Sequence, residues 1–334
     1  LLMKDKTNIK KSKQGLQYIK KSKHFGFPKA ILKYGSELIS GNFITRNEEK
    51  GIKNIIKAAE KGNSKALFLS SEMVQLFPEY SINNRNSFEY LKKAAYKGHI
   101  NAMNKYGANL LDKGNEENLK EGILFIKKAS DAGMLESMYL YGLIIEEGYG
   151  IKSNPKESTK YIRILANLGH IDAMNLYGKK LFSGKGVDLD RNMASYYFKK
   201  AADNGNEESM LHYAYMNDKG IGIPINKNES IKYYKMAIER GNSDAMNNYA
   251  NMMDLGDGVP VDKEEATKYY KMTIEKCNSN VMNNFAGNII QNDKEEATNY
   301  LKLAIDNENT QAMYNYSNYL HRNNEDSNDI DEAL

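Results

Sequence analysis

The sequence predicts an all-α protein, an α-solenoid of about eight antiparallel helix pairs, and three observations lead to this fold class. A short phrase, clearest as Ala-Met-Asn-Leu-Tyr-Gly at residues 173–178, occurs nine times, and successive copies begin 36, 36, 35, 36, 36, 36, 36 and 31 residues apart. Helical apolar spacing occurs twice in each period, and short glycine-containing turns separate the two helices. Such a period is typical of stacked repeats, in which each unit completes its core with its neighbours.

The first helix of each repeat, helix A, carries the phrase. In the fifth copy its apolar positions are Ala173, Met174, Tyr177, Gly178 and Leu181. A Gly-x-Gly connection leads to helix B, which begins after Asp190, a good N-cap, and ends at Gly205. The apolar positions of helix B are Ala194, Tyr197, Phe198, Ala201 and Ala202. Because the turns are short, consecutive helices must run antiparallel.

We expect a single domain, residues 1–334, because a solenoid has no single core that a long chain outgrows. It comprises a half repeat over residues 1–26, repeats 1 to 8 starting near residues 27, 63, 99, 134, 170, 206, 242 and 278, and a partial repeat from residue 309. The incomplete ends predict that the natural array is longer. Repeat 2 replaces the Gly-x-Gly loop with residues 74–80, and repeat 8 lacks that loop.

One position of helix A always holds a small residue, which predicts close contact between two helix backbones. The residues at this position are Gly35, Gly107, Gly142, Gly178, Ala214, Ala250, Ala286 and Ser317.

Composition and charge favour a soluble cytoplasmic protein, with the nucleus as a second possibility. The chain is 41% hydrophobic, and its net charge of +4 comes from 47 basic and 43 acidic residues, which does not indicate a nucleic-acid partner. No apolar run is long enough for a membrane span. Cys277 is the single cysteine, so no intramolecular disulfide can form. Lysines cluster between Lys4 and Lys23, and acidic residues cluster between Glu325 and Glu332.

Signatures of catalysis and cofactor binding are missing from the sequence. The Gly-x-Gly segments follow a helix and recur once per repeat, which favours connectors over phosphate-binding loops. His99 and His170 occupy equivalent positions after a helix B glycine, so repetition explains them better than metal ligation. No His-x-x-x-His, paired cysteines, Gly-x-Ser-x-Gly or Gly-Lys-Ser/Thr occurs. We therefore expect no enzyme, no cofactor, no metal and no small-molecule substrate.

The repeat resembles a known family. The elements Ala-x-x-x-Tyr-Gly, Gly-x-Gly-Val, a capped acidic helix start, Ala-x-x-Tyr and Ala-Ala-x-x-Gly recur in this order in repeats 4 to 7. They are similar to the Sel-one-like repeat, a relative of the tetratricopeptide repeat, over nearly the whole chain. Tyr161, Tyr197, Tyr233 and Tyr269 stand where that family often has Trp. The resemblance implies a right-handed, tetratricopeptide-like superhelix that serves as an adaptor or assembly scaffold in signalling or protein quality control.

If helix A lines the concave surface, as in tetratricopeptide arrays, the residue after the Met of the phrase and the residue four positions later face a groove. These positions hold Asn104, Tyr139 with Leu143, Asn175 with Lys179, Leu211 with Tyr215, Asn247 with Asn251, Asn283, and Tyr314 with Asn318. All except Leu143 and Leu211 are predicted partner-binding residues. Asparagine amides could pair with any peptide backbone, and tyrosines add apolar contact area. The alternative is a solvated face in an Asn-rich chain.

The sequence thus favours a non-catalytic scaffold that binds proteins or extended peptides along the helix A face. A second hypothesis is the regulatory repeat region of a larger signalling enzyme, for example a protein kinase, whose catalytic domain lies outside this chain. A third is an assembly subunit of a membrane-protein degradation complex. For the first hypothesis, replacing Asn175, Asn247 and Asn251 by Ala is expected to leave stability intact and to reduce partner binding.

Overall fold

The computed structural model describes residues 14–80, 86–274, 279–290 and 293–323, and within these ranges the chain forms helices and no strand. The α-helices are α1 (residues 14–24), α2 (Pro28–Ser40), α3 (Glu48–Glu60), α4 (Ser64–Leu76), α5 (Ser87–Tyr96), α6 (Ile100–Lys113), α7 (Glu116–Asp131), α8 (Leu135–Glu147), α9 (Pro155–Asn167), α10 (Ile171–Ser183), α11 (Arg191–Asp203), α12 (Glu207–Lys219), α13 (Lys227–Ile238), α14 (Ser243–Leu255), α15 (Lys263–Ile274), α16 (Ser279–Ile289), α17 (Lys294–Asp306) and α18 (Thr310–Asn323). Even-numbered helices are the predicted A helices, and odd-numbered helices are the B helices.

The alternation of A and B helices confirms the prediction of an all-α solenoid related to tetratricopeptide arrays. Three features predicted from the sequence lie outside the described residues. They are the lysines between Lys4 and Lys13, the single Cys277, and the acidic residues between Glu325 and Glu332.

Polar side chains define where the helices begin, because each accepts a hydrogen bond from the backbone N–H three residues later. The caps of A helices are Asn63, His99, His170, Asn206, Asn242 and Asn309. The caps of B helices are Asn47, Asn86, Asn115, Asn154, Asp190, Asn226, Asp262 and Asp293. Capping therefore explains the two equivalent histidines and part of the high asparagine content.

The Gly-x-Gly segments connect helix A to helix B, as predicted, and their first glycine ends helix A. Gly184 and Gly220 follow α10 and α12 with φ angles of 76° and 68°, a left-handed conformation that L-residues with a Cβ rarely adopt. Repeat 2 differs because α4 ends without such a glycine and is followed by a 3₁₀ turn at Pro78–Tyr80. The irregular segment that the sequence predicts at residues 74–80 therefore reflects the different ending of α4.

Backbone contact between helices A and B occurs at the small-residue position of repeats 1 and 3. A Cβ added to Gly107 would lie 2.9 Å from the carbonyl oxygen of Gly122, and the same distance separates a Cβ on Gly35 from the oxygen of Gly51. In repeat 5 the contact has a different form. A Cβ on Gly178 would lie 2.8 Å from the Phe198 ring, so that glycine makes room for a side chain rather than for a backbone.

The described helices group into two compact units, Leu1–Leu165 and Ala166–Leu334, with the boundary inside α9. In the first unit, aliphatic and aromatic residues from both helix types form one core that extends from Ile31 to Phe125, and a second cluster surrounds Ile126 and Tyr141. That all repeats form one domain with the limits given above stays a prediction, as does the right-handed superhelix.

In the second unit, tyrosines of the recurring phrase are core residues. Tyr177 packs edge-to-face on Tyr197 with ring centroids 4.9 Å apart, and Tyr213 packs on Tyr233 at 4.7 Å. All four side chains are buried. Because aromatic pairs in this geometry gain more than their buried area provides, each pair fixes helix A against helix B of its repeat.

Successive B helices are joined through tyrosine hydroxyls. In the second unit, the hydroxyl of Tyr197 donates to Asn167 at 2.7 Å, and the hydroxyl of Tyr233 donates to Asp203. In the first unit, Tyr90 donates to Glu60 at 3.3 Å. Each acceptor lies thirty residues before its donor, at the end of the preceding B helix. The tyrosine ring therefore packs within its own repeat while its hydroxyl binds the previous one.

Candidate functional site

All ten residues predicted to bind partners lie on A helices, but they divide into buried and accessible groups. In the second unit, Asn175, Asn247 and Asn283 are buried, whereas Lys179, Tyr215 and Tyr314 are exposed. The remaining four are half-buried: Asn104 and Tyr139 in the first unit, and Asn251 and Asn318 in the second. The structure describes their surroundings, and their role in binding stays a prediction.

Asn175 illustrates the hydrogen bonds that a buried asparagine makes. Its Nδ2 donates to a carboxylate oxygen of Glu208 at 2.6 Å, and its Oδ1 accepts from the hydroxyl of Ser209 at 2.8 Å. Both partners belong to α12, the next A helix. The amide therefore uses its donor and its acceptor inside the repeat stack.

Three other asparagines at the predicted groove-facing positions have similar partners. Asn104 accepts from the hydroxyl of Ser137 at 2.9 Å, Asn247 from Asn284 at 3.3 Å, and Asn283 from Asn315 at 2.9 Å. Each bond joins neighbouring A helices. The sequence contains a signal for this arrangement, because Ser137 and Ser209 replace the usual Ala in the repeat that follows Asn104 or Asn175.

Lys179 of α10 and Glu208 of α12 form an ion pair between two A helices of the second unit. The Lys179 Nζ lies 2.7 Å from a carboxylate oxygen of Glu208, which also faces His212 at 3.7 Å. Burial alone would raise the pKa of Glu208, but hydrogen bonds from Lys179 and Asn175 outweigh it and hold the pKa below its ordinary value. Burial lowers the pKa of His212, so the imidazole, which packs on the Phe198 ring, favours its neutral form.

A second charge cluster lies at the far end of α12. The buried Asp218 accepts from Lys219 and Lys227 at 2.8 and 2.6 Å, and Lys227 also binds Asp257 of the next repeat at 2.5 Å. Burial would raise the pKa of Asp218, but the two lysines hold it low. With every charge paired, the cluster joins repeats 6 and 7 and offers no free acid or base.

An apolar pocket opens between the A helices α6 and α8 of the first unit, with a volume of about 430 Å³. Its walls include Leu111 of α6 and Leu140, Leu143 and Ile144 of α8. Ala108, Asp112, Glu147 and Tyr149 complete it. Leu143 is one of the positions that the sequence predicts to face a groove. Sequence reasoning missed the pocket itself, since its residues belong to two repeats and share no motif.

Among the residues that the structure describes, no group of three or more His, Cys, Asp or Glu side chains is placed to hold a metal ion. The described helices also include none that is both long enough and apolar enough to cross a bilayer.

Comparison with known proteins identifies the repeat. The Sel1 repeat model matches residues 28–63, 79–99, 100–134, 135–170, 171–206, 207–242, 243–276 and 284–309. The segment between residues 63 and 79, where repeat 2 lacks its glycine loop, is not matched. No curated protein matches the chain significantly.

Two solved structures have the same fold. One is a protective antigen present in uropathogenic Escherichia coli strains and displaying an SLR fold; it is 22% identical, with a TM-score of 0.69 over 92% of this chain and 67% of the antigen. The other is a Sel1 repeat protein from Oxalobacter formigenes, 19% identical, with a TM-score of 0.62 over 89% of this chain and 87% of that protein.

Proposed function

This chain belongs to the Sel1 repeat family, and from that premise we propose that it is a non-catalytic scaffold that binds partner proteins along the exposed face of its A helices. Sel1 repeats are generally protein-interaction scaffolds, and stacked repeats present extended surfaces suited to that task. The proposal includes a cytoplasmic location, supported by the single cysteine.

The observation that carries the proposal is the position of the apolar pocket. It lies between two successive A helices, and Leu143, at a position predicted to face a groove, forms part of its wall. A partner side chain that covers these apolar residues removes their surface from water, which favours binding. Asn104, Asn175, Asn247 and Asn283 have an indirect role in this proposal, because their hydrogen bonds join neighbouring A helices. Lys179, Tyr215 and Tyr314 contact the partner.

Site-specific photo-cross-linking tests which face meets the partner. A benzophenone amino acid placed at Tyr215 probes α12, an A helix, and the same group at Tyr196 probes α11, a B helix. Position 196 is a matched control for position 215 because the exposed fractions of Tyr196 and Tyr215 are similar, 48% and 39%. We expect partner polypeptides to be cross-linked from position 215 and not from position 196. Equal cross-linking from both positions, or from neither, contradicts the proposal.

The alternative of a regulatory region in a larger signalling enzyme uses the same surface, and no observation on the described residues favours it over an independent scaffold.

A further inference from the structure

The pocket between α6 and α8 has an apolar floor and an acidic mouth. Leu111, Leu140, Leu143 and Ile144 supply the apolar part. Its volume of about 430 Å³ lies in the ~300–1,000 Å³ range of pockets that enclose a bound molecule, so one large side chain can enter it. Burying such a side chain removes apolar surface of both molecules from water.

Two carboxylates at this pocket pair with no cation in the described part of the chain. Asp112 and Glu147 are exposed, and neither forms an ion pair or hydrogen bond with another residue in the described part of the chain. They lie near the C-terminal ends of α6 and α8, where the helix dipole adds negative potential. Lys113 follows Asp112 in sequence, but its side chain packs on another residue, since its Nζ lies 3.9 Å from the centroid of the Phe88 ring.

The exposed ring of Tyr149, which follows α8, forms another wall of the pocket. An aromatic face attracts a cation placed above it, so the ring and the two carboxylates all attract positive charge. The pocket is therefore complementary to a ligand that is apolar at its centre and positively charged at its edges.

We propose, building on the scaffold function above, that this pocket anchors a partner polypeptide through one leucine or phenylalanine side chain flanked by lysine or arginine. The apolar side chain occupies the space between α6 and α8, and the flanking cations meet Asp112 and Glu147. Complementary charge specifies the partner and apolar burial supplies affinity, which is the usual division of roles in interfaces.

Fluorescent peptides of the form Ser-Lys-X-Lys-Ser, with X as Leu, Phe or Ser, and the matching peptides with Glu in place of Lys test this proposal. Binding is measured by anisotropy, and the site by methyl NMR of Leu143 and Ile144. We expect the Lys-flanked Leu and Phe peptides to shift these methyl signals and to bind at least about tenfold more tightly than Ser-centred or Glu-flanked peptides. Equal affinity for Glu-flanked peptides, or the absence of any binding, overturns the proposal.

Variants separate the two parts of the site. D112K/E147K removes the acidic mouth and is expected to weaken the Lys-flanked peptides at least about tenfold. E79K/D131K is the matched control, because it makes the same charge change at exposed positions outside the pocket and should leave affinity within about twofold. Ala108→Leu fills the pocket from α6 and should abolish the preference for Leu or Phe over Ser. Unchanged binding by D112K/E147K and Ala108→Leu contradicts the proposal.

Failure here is distinguishable from failure of the scaffold function. Cross-linking from Tyr215 reports on an A helix of the second unit and does not depend on the pocket. If those cross-links form while the peptides show no preference, the scaffold proposal stands and the anchor proposal is wrong.

Discussion

Asparagines in the recurring phrase act between repeats. The amide of Asn175 binds two residues of the next A helix, and Asn104, Asn247 and Asn283 each accept from a neighbouring A helix. Hydrogen bonds of buried polar groups cost most when only one partner is removed, because the other is left without water or protein. These asparagines therefore stabilise the packing of the A helices, whose exposed face is the proposed binding surface.

Asn175→Ala should destabilise the protein, in contrast to what the sequence alone leads one to expect. The substitution leaves the fully buried hydroxyl of Ser209 without its acceptor, so we expect a loss of about 1–3 kcal/mol in the free energy of unfolding. Asn251→Ala is the matched control, since the Asn251 side chain is half-buried and forms no hydrogen bond with another described residue; its effect should stay within about 0.5 kcal/mol. Urea denaturation measures both, and equal effects contradict this role of Asn175.

The cap at His99 couples the start of α6 to pH. Its Nδ1 accepts from the backbone N–H of Ala102 at 3.3 Å, which requires an unprotonated nitrogen, and its ring stacks on Phe68. Burial lowers the pKa of His99, repulsion from Lys65 lowers it further, and attraction from Glu72 opposes both. Protonation is thus disfavoured in the folded state.

His99→Asn should reduce the acid sensitivity of the fold. Since the folded pKa is below the unfolded one, the unfolded chain binds the proton more readily. Stability from this cap is complete above the unfolded pKa of about 6.5 and is lost as the pH falls below it. Between about pH 7.5 and 5.5, we expect wild type to lose more unfolding free energy than His99→Asn, because Asn caps at both pH values. Identical pH profiles in urea denaturation would falsify the prediction.

Helix pairs differ in how closely their backbones approach. The pair α6 and α7 is in contact at Gly107 and Gly122, while α10 and α11 are separated by the Phe198 ring beside Gly178. A small residue at the same position thus has two packing functions. In repeats 1 and 3 the nearest atoms include the backbone oxygen of a helix B glycine, whereas in repeat 5 the nearest atoms all belong to the Phe198 ring.

Gly107→Ala should lower the thermal midpoint. The added Cβ would lie 2.9 Å from the Gly122 carbonyl oxygen and from the Ile126 side chain, so α6 and α7 must separate, at a cost of about 1–3 kcal/mol. Gly287→Ala is the matched control, because Gly287 is also inside a helix but has no atom within 4 Å of an added Cβ. There we expect a gain of about 0.5–1 kcal/mol from helix propensity. Thermal denaturation followed by circular dichroism distinguishes the signs, and a stabilised Gly107→Ala variant contradicts the close contact.

Across the chain, the most extensive contacts join consecutive helices within each unit. The stability of such an array is approximately the sum of the intrinsic stabilities of its repeats and the contributions of the interfaces between neighbouring repeats. A local change should therefore have a local effect, and its range can be measured by hydrogen exchange.

Gly107→Ala should increase amide exchange in α5, α6, α7 and α8, and leave α2 and α3 unchanged. Helices α5 and α8 are included because they pack directly on α6 and α7. Exchange mass spectrometry resolves these segments. A uniform increase throughout the first unit would show that it unfolds as one cooperative body, in contrast to the nearest-neighbour description.

The sequence predicted the helices well because their signals are local and repeated. Capping residues, helix-ending glycines and the tyrosine spacing all act within one repeat, and nine copies reinforce each other. The predicted binding positions lie on A helices, but sequence reasoning could not separate the buried Asn175 from the exposed Tyr215. Burial depends on the next repeat, whose side chains are about 33 residues away in sequence.

By itself the sequence determined the repeat length, the helix order and the all-α class, since these follow from the spacing of apolar, small and capping residues. Packing alone decided that the asparagines join A helices and that the tyrosine hydroxyls join B helices. It also decided that an apolar pocket opens between α6 and α8, with two carboxylates that pair with no described residue. The physical reason is distance. Each of these features combines side chains of two repeats, and only the folded stack brings them within reach of one another.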